Sequence, residues 1–281
     1  MRINKPMSAS LRSLTVALFA IGVLSGCATS GNSKDPIEGF NRAMFAFNEG
    51  LDSAIIKPVA KGYDAVLPSP VQTGVTNFFG NISDVFIGVN NLLQGKLPEA
   101  VNDFGRFAIN TTVGLLGVLD IATEAGLQKH DEDFGQTFGR WGVGNGAYVV
   151  LPVFGPRTAR DTVGLVLDMA ADPVTNVDHV PTRNSLVVLR LIDKRANLLP
   201  ADKVIEEAAL DKYSYMRDAY LQNRRSLIHD GNAPRDVEAE AEQVDRPATA
   251  EAGSSSPSAA VDSPVAADGV LLVHAVVTDT K

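Results

Sequence analysis

Four adjacent titratable residues, His130, Asp131, Glu132 and Asp133, form the densest acid–base cluster in the chain. An imidazole beside carboxylates is a pair that hydrolases use, because the base must exchange a proton near neutral pH. The cluster lies in a polar connector, where a run of charges is more often a solvated surface than a catalytic group. Hydrolysis through His130 and Asp133 is therefore the weakest of the functions that we consider.

Other signatures of catalysis or metal binding are missing from the sequence. The histidines are His130, His179, His229 and His274. None has another histidine or a cysteine at the spacing of three to five residues that metal sites use. The sequence contains neither a Gly-x-Ser-x-Gly elbow nor a His-Glu-x-x-His motif. We therefore predict a protein that is not an enzyme and that needs no cofactor and no metal.

Cys27 is the single cysteine of the chain, and its position indicates its chemistry. It follows Leu24-Ser25-Gly26 directly, after a basic start and an apolar run over residues 14–24. That run is too short to cross a bilayer as a helix, which takes about 20 residues, but is typical of a secretory signal. Small residues followed by Cys resemble the lipobox of bacterial lipoproteins, in which the thiol is acylated and becomes the new N-terminus. The alternative is an ordinary export signal followed by a free thiol.

The exported chain is acidic. The net charge of −8 over 281 residues becomes −11 once the three basic residues of the signal are removed. Because a negative chain is repelled by nucleic acid and by anionic lipid, we expect no nucleic-acid partner. Attachment to a membrane must then come from acyl chains and apolar surface. No cysteine is left for a disulfide after acylation, so the fold depends on packing.

Composition divides the chain into four parts: a signal peptide over 1–26, a lipidated tether over 27–34, a domain over 35–230 and a tail over 231–281. The tail is acidic and rich in Ala, Pro and Ser. It holds too little apolar surface to offset its ordering entropy, so we predict that it is disordered. Its apolar run over 270–277 is either a docking peptide or without function.

Helical periodicity dominates the domain. We predict a first helix from Asp35 that Pro58 interrupts, and further helices over 71–94, from Pro98 into the apolar run 112–119, and over 161–170, 185–198 and 201–227. Helices that are apolar nearly all round are either deeply buried or in contact with lipid. Together with the anchor, this pattern predicts partial embedding in one leaflet. Residues 148–156 are either a buried hairpin or a loop lining an apolar passage.

Several segments of the domain carry a family resemblance: DPIEGFNR at 35–42, FAFN at 45–48, KPVA at 57–60, NFFGN at 77–81, NLLQGK at 91–96, RFAINTT at 106–112, DFGQTFG at 133–139, YVVLPVFGP at 148–156, RANLL at 195–199 and RDAYLQ at 217–222. In this order they resemble the MlaA/VacJ family of outer-membrane lipoproteins. The resemblance runs from Asp35 to about Arg225 and leaves out the tail.

The resemblance implies an all-α fold, a ring-shaped bundle of amphipathic helices around a central channel, with the disordered tail outside it. Such proteins lie in the inner leaflet of the outer membrane, anchored here through Cys27 at the periplasmic face. They remove mislocalised phospholipid from the outer leaflet, associate with trimeric porins and pass the lipid to a soluble periplasmic carrier of the MlaC type. Ala28 is consistent with outer-membrane delivery, since aspartate after the lipidated cysteine retains lipoproteins in the inner membrane of some bacteria.

The resemblance also implies a hairpin that borders the channel, formed by Tyr148, Val149, Val150, Leu151, Pro152, Val153, Phe154, Gly155 and Pro156. Gly155 and Pro156 would set its backbone conformation. The candidates for contact with a lipid phosphate are Lys96, Arg106, Arg140 and Arg157, with the alternative that each is a surface or ion-paired cation.

Two other functions remain open from the sequence. One is a structural lipoprotein that docks a porin or envelope complex without moving lipid. The other is a phospholipid hydrolase that uses His130 and Asp133.

Overall fold

The computed structural model describes residues 35–233. The predicted signal peptide, the tether with Cys27 and the tail from residue 234 onward lie outside the described residues. Within 35–233 the chain forms ten α-helices, one π-helix and one two-stranded hairpin. The predicted all-α class is therefore confirmed, with the hairpin as a small addition.

The helices in chain order are α1 (Glu38–Leu51), α2 (Lys57–Val66), α3 (Ser69–Leu93), α4 (Leu97–Thr112), α5 (Ile121–Glu124), α6 (Phe134–Arg140), α7 (Ala159–Ala171), α8 (Val180–Asn197), α9 (Ala201–Ala208) and α10 (Lys212–Ile228). The strands β1 (Tyr148–Leu151) and β2 (Gly155–Thr158) are antiparallel and lie between α6 and α7 in the sequence. Asp133, Thr158 and Asp211 accept a backbone N–H at the starts of α6, α7 and α10. These N-caps fix where three of the helices begin.

The prediction that Pro58 interrupts the first helix is wrong. A π-helix, Asp52–Ile56, joins α1 to α2 without a break. A proline removes one backbone donor and its ring crowds the carbonyl four residues earlier, which normally bends or ends a helix. The wider π turn directly ahead of Pro58 accommodates this misfit. Such π segments are often found at functional sites.

The apolar run after α4 is not helical, contrary to the prediction. Leu115 and Leu116 have φ of 55° and 61°, and Gly117 has φ of 90°, so this segment is a turn in the left-handed region. Gly117 lies against α3, and a Cβ placed on it would be 2.4 Å from the Cβ of Asn81. Only glycine fits this close approach without a clash.

The predicted helix over 201–227 is in fact two helices. Ala209 has an extended backbone, and the side chain of Asp211 accepts the N–H of Tyr213 to start α10. The apolar periodicity continues across the break and conceals it. In the sequence, Asp211 is the residue that indicates the start of α10, since aspartate is a strong N-cap residue.

Two close helix pairs organise the domain. α3 and α4 run antiparallel, joined by hydrogen bonds from Asn81 Nδ2 to Thr111 Oγ1 at 2.8 Å and from Asn91 Nδ2 to Asp103 Oδ2 at 2.7 Å. α6 and α7 touch through glycines, because a Cβ on Gly164 would lie 2.4 Å from the backbone nitrogen of Gly135.

Several helices bury polar residues and expose apolar ones. The buried residues of α4, α7 and α8 are Ala100, Asp103, Arg106, Asn110, Arg160, Asp161, Gly164, Leu165, Arg190, Asp193, Lys194, Arg195 and Ala196. The same helices expose Leu97, Val101, Val163, Val166, Leu167, Val180 and Val188. This pattern, polar side inward and apolar side outward, reverses that of a helix at the surface of a water-soluble protein. We call it inverted amphipathicity.

Candidate functional site

The hairpin β1–β2 is held against α1 by two asparagines. Asn41 Nδ2 donates to the carbonyl oxygen of Tyr148 at 3.0 Å, and Asn41 Oδ1 accepts the N–H of Val150 at 2.8 Å. Two turns further along α1, Asn48 makes the same pair of bonds with the carbonyl of Leu151 at 2.9 Å and the N–H of Val153 at 2.8 Å. Asn41 and Asn48 are seven residues apart, which is two helical turns, so they lie on one face of α1. Their amides take the place of a third strand.

The tip of the hairpin has a constrained backbone. Val153 and Gly155 have φ of 69° and 68°. Glycine adopts this conformation at little cost, whereas a β-branched residue such as Val153 is strained there. Such strain persists where the surroundings hold the backbone in place, and it is frequent at functional sites. Here the bond from the N–H of Val153 to Asn48 is one such restraint.

The hairpin contributes both to a packed core and to the wall of an adjoining cavity. Tyr148 and Val150 are 1% and 0% exposed and pack with Ile205, Tyr213, Met216 and Tyr220. The hairpin also borders a cavity of about 170 Å³ whose wall includes parts of α1, α8, α9 and α10. Four of the nine predicted hairpin residues line it, namely Val150, Val153, Gly155 and Pro156. The remaining five do not.

Charged groups meet at one side of this cavity. Asp52 of the π-helix receives two hydrogen bonds from Arg195, at 2.8 and 2.9 Å, and Arg195 also donates to Asp202 at 2.9 Å. Burial lowers the pKa of Arg195, but hydrogen bonds with Asp52 and Asp202 raise it above its usual value. Nη1 of Arg195 has no hydrogen-bond partner among the described residues. The cavity therefore combines apolar walls with one guanidinium that has a donor to spare.

Behind the hairpin lies a buried charge cluster. Arg224 of α10 donates to Asp133 at 2.6 and 2.9 Å and to Asp161 at 3.1 Å. Tyr220 donates its hydroxyl to Asp161 at 2.7 Å. Burial favours the protonated form of Asp161, but Arg224 and Arg160 outweigh it and lower its pKa to about 2. The cluster joins the starts of α6 and α7 to α10.

Asp168, in the same region, has a raised pKa, in contrast to the lowered pKa of Asp161. Its Oδ1 accepts the N–H of Phe134 at 3.1 Å. Burial and the negative charge of Asp133 raise its pKa far above the usual value, against the lowering effects of that hydrogen bond, Arg157 and Arg224. The folded state therefore holds a proton on Asp168 to a higher pH than the unfolded chain does.

This shift has a consequence for stability. A carboxyl whose pKa is raised by folding stabilises fully below its unfolded pKa of about 4, and this contribution is lost as pH rises through the folded pKa. Asparagine cannot lose a proton and retains an oxygen for the N–H of Phe134. We expect the free energy of unfolding of Asp168→Asn to fall less steeply with rising pH than that of the parent. At pH 9 it should exceed the parent value by at least about 1 kcal/mol. Urea unfolding at pH 5, 7 and 9, with the exposed Asp178→Asn as control, measures this; parallel pH profiles for parent and Asp168→Asn would contradict it.

A second cavity, of about 730 Å³, lies between α3, α4 and residues 120–129. Its wall is mainly polar and includes Asn81, Asp84, Arg106, Asp120 and Lys129. We call it the polar cavity.

The profile of the family described as MlaA lipoprotein matches residues 33–227. The chain belongs to the MlaA lipoprotein family. Members from Shigella flexneri and Escherichia coli K12, both named intermembrane phospholipid transport system lipoprotein MlaA, are 37% identical to it. Each alignment covers 78% of this chain and 90% of the relative. A protein of the same name from Haemophilus influenzae is 32% identical, over 78% of this chain and 92% of its own length.

The fold agrees with this membership of the MlaA family. A solved structure described as the structural basis for maintenance of bacterial outer membrane lipid asymmetry superposes with a TM-score of 0.62. It is 34% identical, and the match covers 69% of this chain and 98% of that one. The resemblance inferred from the motifs is therefore confirmed.

The basic residues proposed as phosphate contacts lie in three different places. Lys96 pairs with Glu132 at 2.7 Å and with Asp230. Arg140 lies 3.7 Å from Asp230. Each of the two is thus ion-paired, which was the alternative interpretation.

The other two basic residues are buried. Arg106 lies in the wall of the polar cavity and pairs with Asp120 at 3.0 Å. Arg157 is 1% exposed, and its Nε and Nη2 have no hydrogen-bond partner among the described residues. Arg106 is therefore the one of the four that the structure places at a cavity.

The acid–base cluster at residues 130–133 does not form one site. His130 Nδ1 lies 2.7 Å from Asp103, and this hydrogen bond raises the pKa of the imidazole. Asp133 instead caps α6, accepting the N–H of Gln136 at 2.7 Å, and pairs with Arg224. Each of the two residues proposed for hydrolysis has a structural partner of its own.

Neither a metal-binding cluster nor a helix fit to span a membrane occurs in residues 35–233. No group of three or more His, Cys, Asp and Glu side chains in this range has a geometry that holds a metal ion. No helix in it is both long enough and apolar enough to cross a membrane.

Proposed function

We propose that this chain is an outer-membrane lipoprotein that removes mislocalised phospholipids from the outer leaflet. Anchored through Cys27 at the periplasmic face, it takes lipid through an amphipathic channel enclosed by its ring of helices. It then hands the lipid to a soluble periplasmic carrier of the MlaC type, alongside a trimeric porin. The names of its relatives and the subject of the similar structure both support phospholipid transport.

Inverted amphipathicity is the observation that carries the proposal. Val101 and Val166 are 71% and 62% exposed, on helices whose buried faces hold arginine and aspartate. Water opposes such exposure by about 25 cal/mol per Å² of apolar surface, so a set of helices with this pattern needs an apolar solvent. Acyl chains of a leaflet supply that solvent. The polar interior then offers a path for headgroups, which hydrocarbon excludes.

The hairpin and its cavity support a role in moving lipid. Val150, Val153 and Pro156 give the cavity an apolar wall that suits acyl chains, while Arg195 offers a donor to a phosphate. Transfer of an intact lipid breaks no covalent bond, so it needs binding surfaces and no nucleophile. The separation of His130 from Asp133 into two structural pairs agrees with this.

The first experiment measures the phospholipid content of the outer leaflet in cells that lack the gene and in complemented cells. We expect a rise on deletion that the intact gene reverses and that Cys27→Ala does not, because the domain then loses its anchor. Unchanged outer-leaflet lipid on deletion would contradict transport. Binding of a porin that persists under that result would instead indicate the docking lipoprotein.

Gly155 gives a sharper test within the domain. We expect Gly155→Val to leave the chain folded but to raise outer-leaflet phospholipid, because a β-branched residue at φ of 68° forces a different turn at the cavity wall. The backbone strain is about 1–3 kcal/mol, within the stability of most domains. Gly231→Val is the matched control, since Gly231 has φ of 80° at an open position after α10. Normal outer-leaflet lipid in the Gly155 variant would count against the role of the hairpin.

A further inference from the structure

The polar cavity contains a carboxylate whose neighbours leave it poorly satisfied. Asp84 is 1% exposed, and neither of its oxygens accepts a well-aligned hydrogen bond from the described residues. Its nearest cations are Lys129 Nζ at 3.3 Å and Arg106 Nε at 3.4 Å. Burial raises the pKa of Asp84, and the charges of these two cations act in the opposite direction. A buried carboxylate in this position gains strongly from a cation that also donates hydrogen bonds.

Arg106 does not supply those bonds, because its two terminal nitrogens bind other groups and its Nε, 3.4 Å from Asp84, makes no hydrogen bond. Its Nη1 donates to Thr123 and to the carbonyl of Leu127, at 2.9 and 2.7 Å. Its Nη2 donates to both oxygens of Asp120 at 3.0 Å. Hydrogen bonds with Thr123 and Arg106 help to lower the pKa of Asp120 to about 2, although burial opposes this. Asp120 is therefore saturated and Asp84 is not.

The unmet hydrogen bonds at the polar cavity are mostly acceptors. Among the buried side-chain atoms of the described wall, Asn81 Oδ1 and both oxygens of Asp84 lack a donor, whereas Arg106 Nε alone lacks an acceptor. A ligand that satisfies this set must bring more donors than acceptors at its inner end. A primary ammonium, with three N–H groups, meets the requirement.

Lys129 marks where such an ammonium would sit. Its own ammonium lies against Asp84, and its side chain is 23% exposed, so it can turn toward the opening. An incoming ammonium would take its place at Asp84, and Lys129 would then be available to a negative group behind that ammonium. An ammonium followed by a phosphate is the headgroup of an ethanolamine phospholipid.

An apolar segment lies beside the polar cavity. Asn77, in the cavity wall, donates to the carbonyl of Val118 at 3.1 Å. The turn after α4 exposes Val113, Leu115, Leu116, Val118 and Leu119. A cavity with a buried carboxylate and a movable lysine, next to an exposed apolar segment, matches a molecule with a zwitterionic head and acyl tails.

We propose that the polar cavity is a headgroup site that selects lipids with a primary ammonium, binding it at Asp84 and the adjacent phosphate at Lys129. This assignment rests on the proposed function, since it gives the transported lipid a preferred headgroup. Phosphatidylcholine has the same charges but no N–H donors, and phosphatidylglycerol lacks the cation. A free amino alcohol phosphate shares the chemistry of the headgroup without the tails.

The test offers the purified full-length lipoprotein an equimolar mixture of phosphatidylethanolamine, phosphatidylcholine and phosphatidylglycerol with identical acyl chains in detergent micelles. Retained lipid is extracted and quantified by mass spectrometry. We expect enrichment of the ethanolamine lipid by about tenfold over the choline lipid, the effect of hydrogen bonds to a charged group. Asp84→Asn should abolish the enrichment. Asp178→Asn, which removes the same charge at an exposed position, should preserve it.

The outcomes separate this inference from the proposed function. Retention of all three lipids in equal amounts by the parent chain would overturn the headgroup selectivity and leave lipid transport standing. Retention of no lipid would count against both. Binding of free phosphoethanolamine without retention of any lipid would assign the site to a soluble amine and overturn the lipid assignment. The comparison within the parent chain does not depend on how well Asp84→Asn folds.

Discussion

Replacing Arg224 by methionine is expected to cost about 3–5 kcal/mol of stability at neutral pH, the effect of taking a cation away from two buried carboxylates, of which Asp161 keeps another in Arg160. Arg224 is 1% exposed and pairs with Asp133 and Asp161, which are 2% and 1% exposed. Methionine fills a similar volume, so loss of the charge rather than a void dominates the effect. The free energy of unfolding from urea titration measures it.

The pH dependence distinguishes this cause from lost packing. Without Arg224, burial and the negative charge of Asp133 move the pKa of Asp161 upward against Arg160, so protonation relieves part of the cost and this relief is lost as pH rises. The cost of Arg224→Met should therefore shrink as pH falls from 7 toward 4. Arg183→Met, a control on α8 outside this cluster, should change stability by less than about 1 kcal/mol at either pH. A cost for Arg224→Met that is equal at both pH values would show that packing, not charge, is responsible.

The sequence predicted the helical class and the family because both depend on local signals. Apolar periodicity placed most helices, and the segment 148–156 was identified as a hairpin from its resemblance to family motifs. Two wrong predictions, for residues 112–119 and for Pro58, have a common origin in features that apolar periodicity does not show. The run 112–119 is as apolar as a helix, and only the contact of Gly117 with Asn81, in a neighbouring helix, makes it a turn. Likewise, the wide turn that carries the chain past Pro58 depends on the π-helix, which periodicity does not reveal.

The candidate site was harder to predict because its residues are distant in the sequence. Asp84 and Lys129 meet only after α3 and α4 pair and residues 120–129 fold over them. Arg106 was a phosphate candidate in the sequence, but its guanidinium is occupied by Asp120 and Thr123. Burial of charge is not a property of local sequence, since a run such as 130–133 gives no sign of which carboxylate will find an arginine.

Asn41 was part of a family motif, yet nothing in the sequence showed that its amide replaces a strand. The structure gives it three hydrogen bonds, to Asp35 Oδ1 at 2.7 Å, to the carbonyl of Tyr148 and to the N–H of Val150. It is 0% exposed, so leucine at this position would bury two backbone groups of the hairpin without the partner that Asn41 supplies and would remove one donor from Asp35. At about 1–3 kcal/mol for each unsatisfied group, we expect Asn41→Leu to lose about 3–5 kcal/mol, with partial relaxation of the hairpin.

Amide hydrogen exchange shows which part of the domain loses stability in Asn41→Leu. The amide of Val150 is protected by Asn41 itself, whereas the amides of α3 are protected within their own helix. Asn41→Leu should therefore accelerate exchange at Val150 by far more than in α3, because the hairpin opens locally before the domain unfolds. Asn223→Leu, on α10 and without a hydrogen bond to the hairpin, should leave exchange at Val150 unchanged. Protection of Val150 that survives in Asn41→Leu would mean that packing of Tyr148 and Val150, rather than the amide, fastens the hairpin to α1. If the side-chain amide of Asn41 holds the hairpin in place, Asn41→Leu should also raise outer-leaflet phospholipid, since the hairpin forms one wall of the cavity proposed to take the acyl chains.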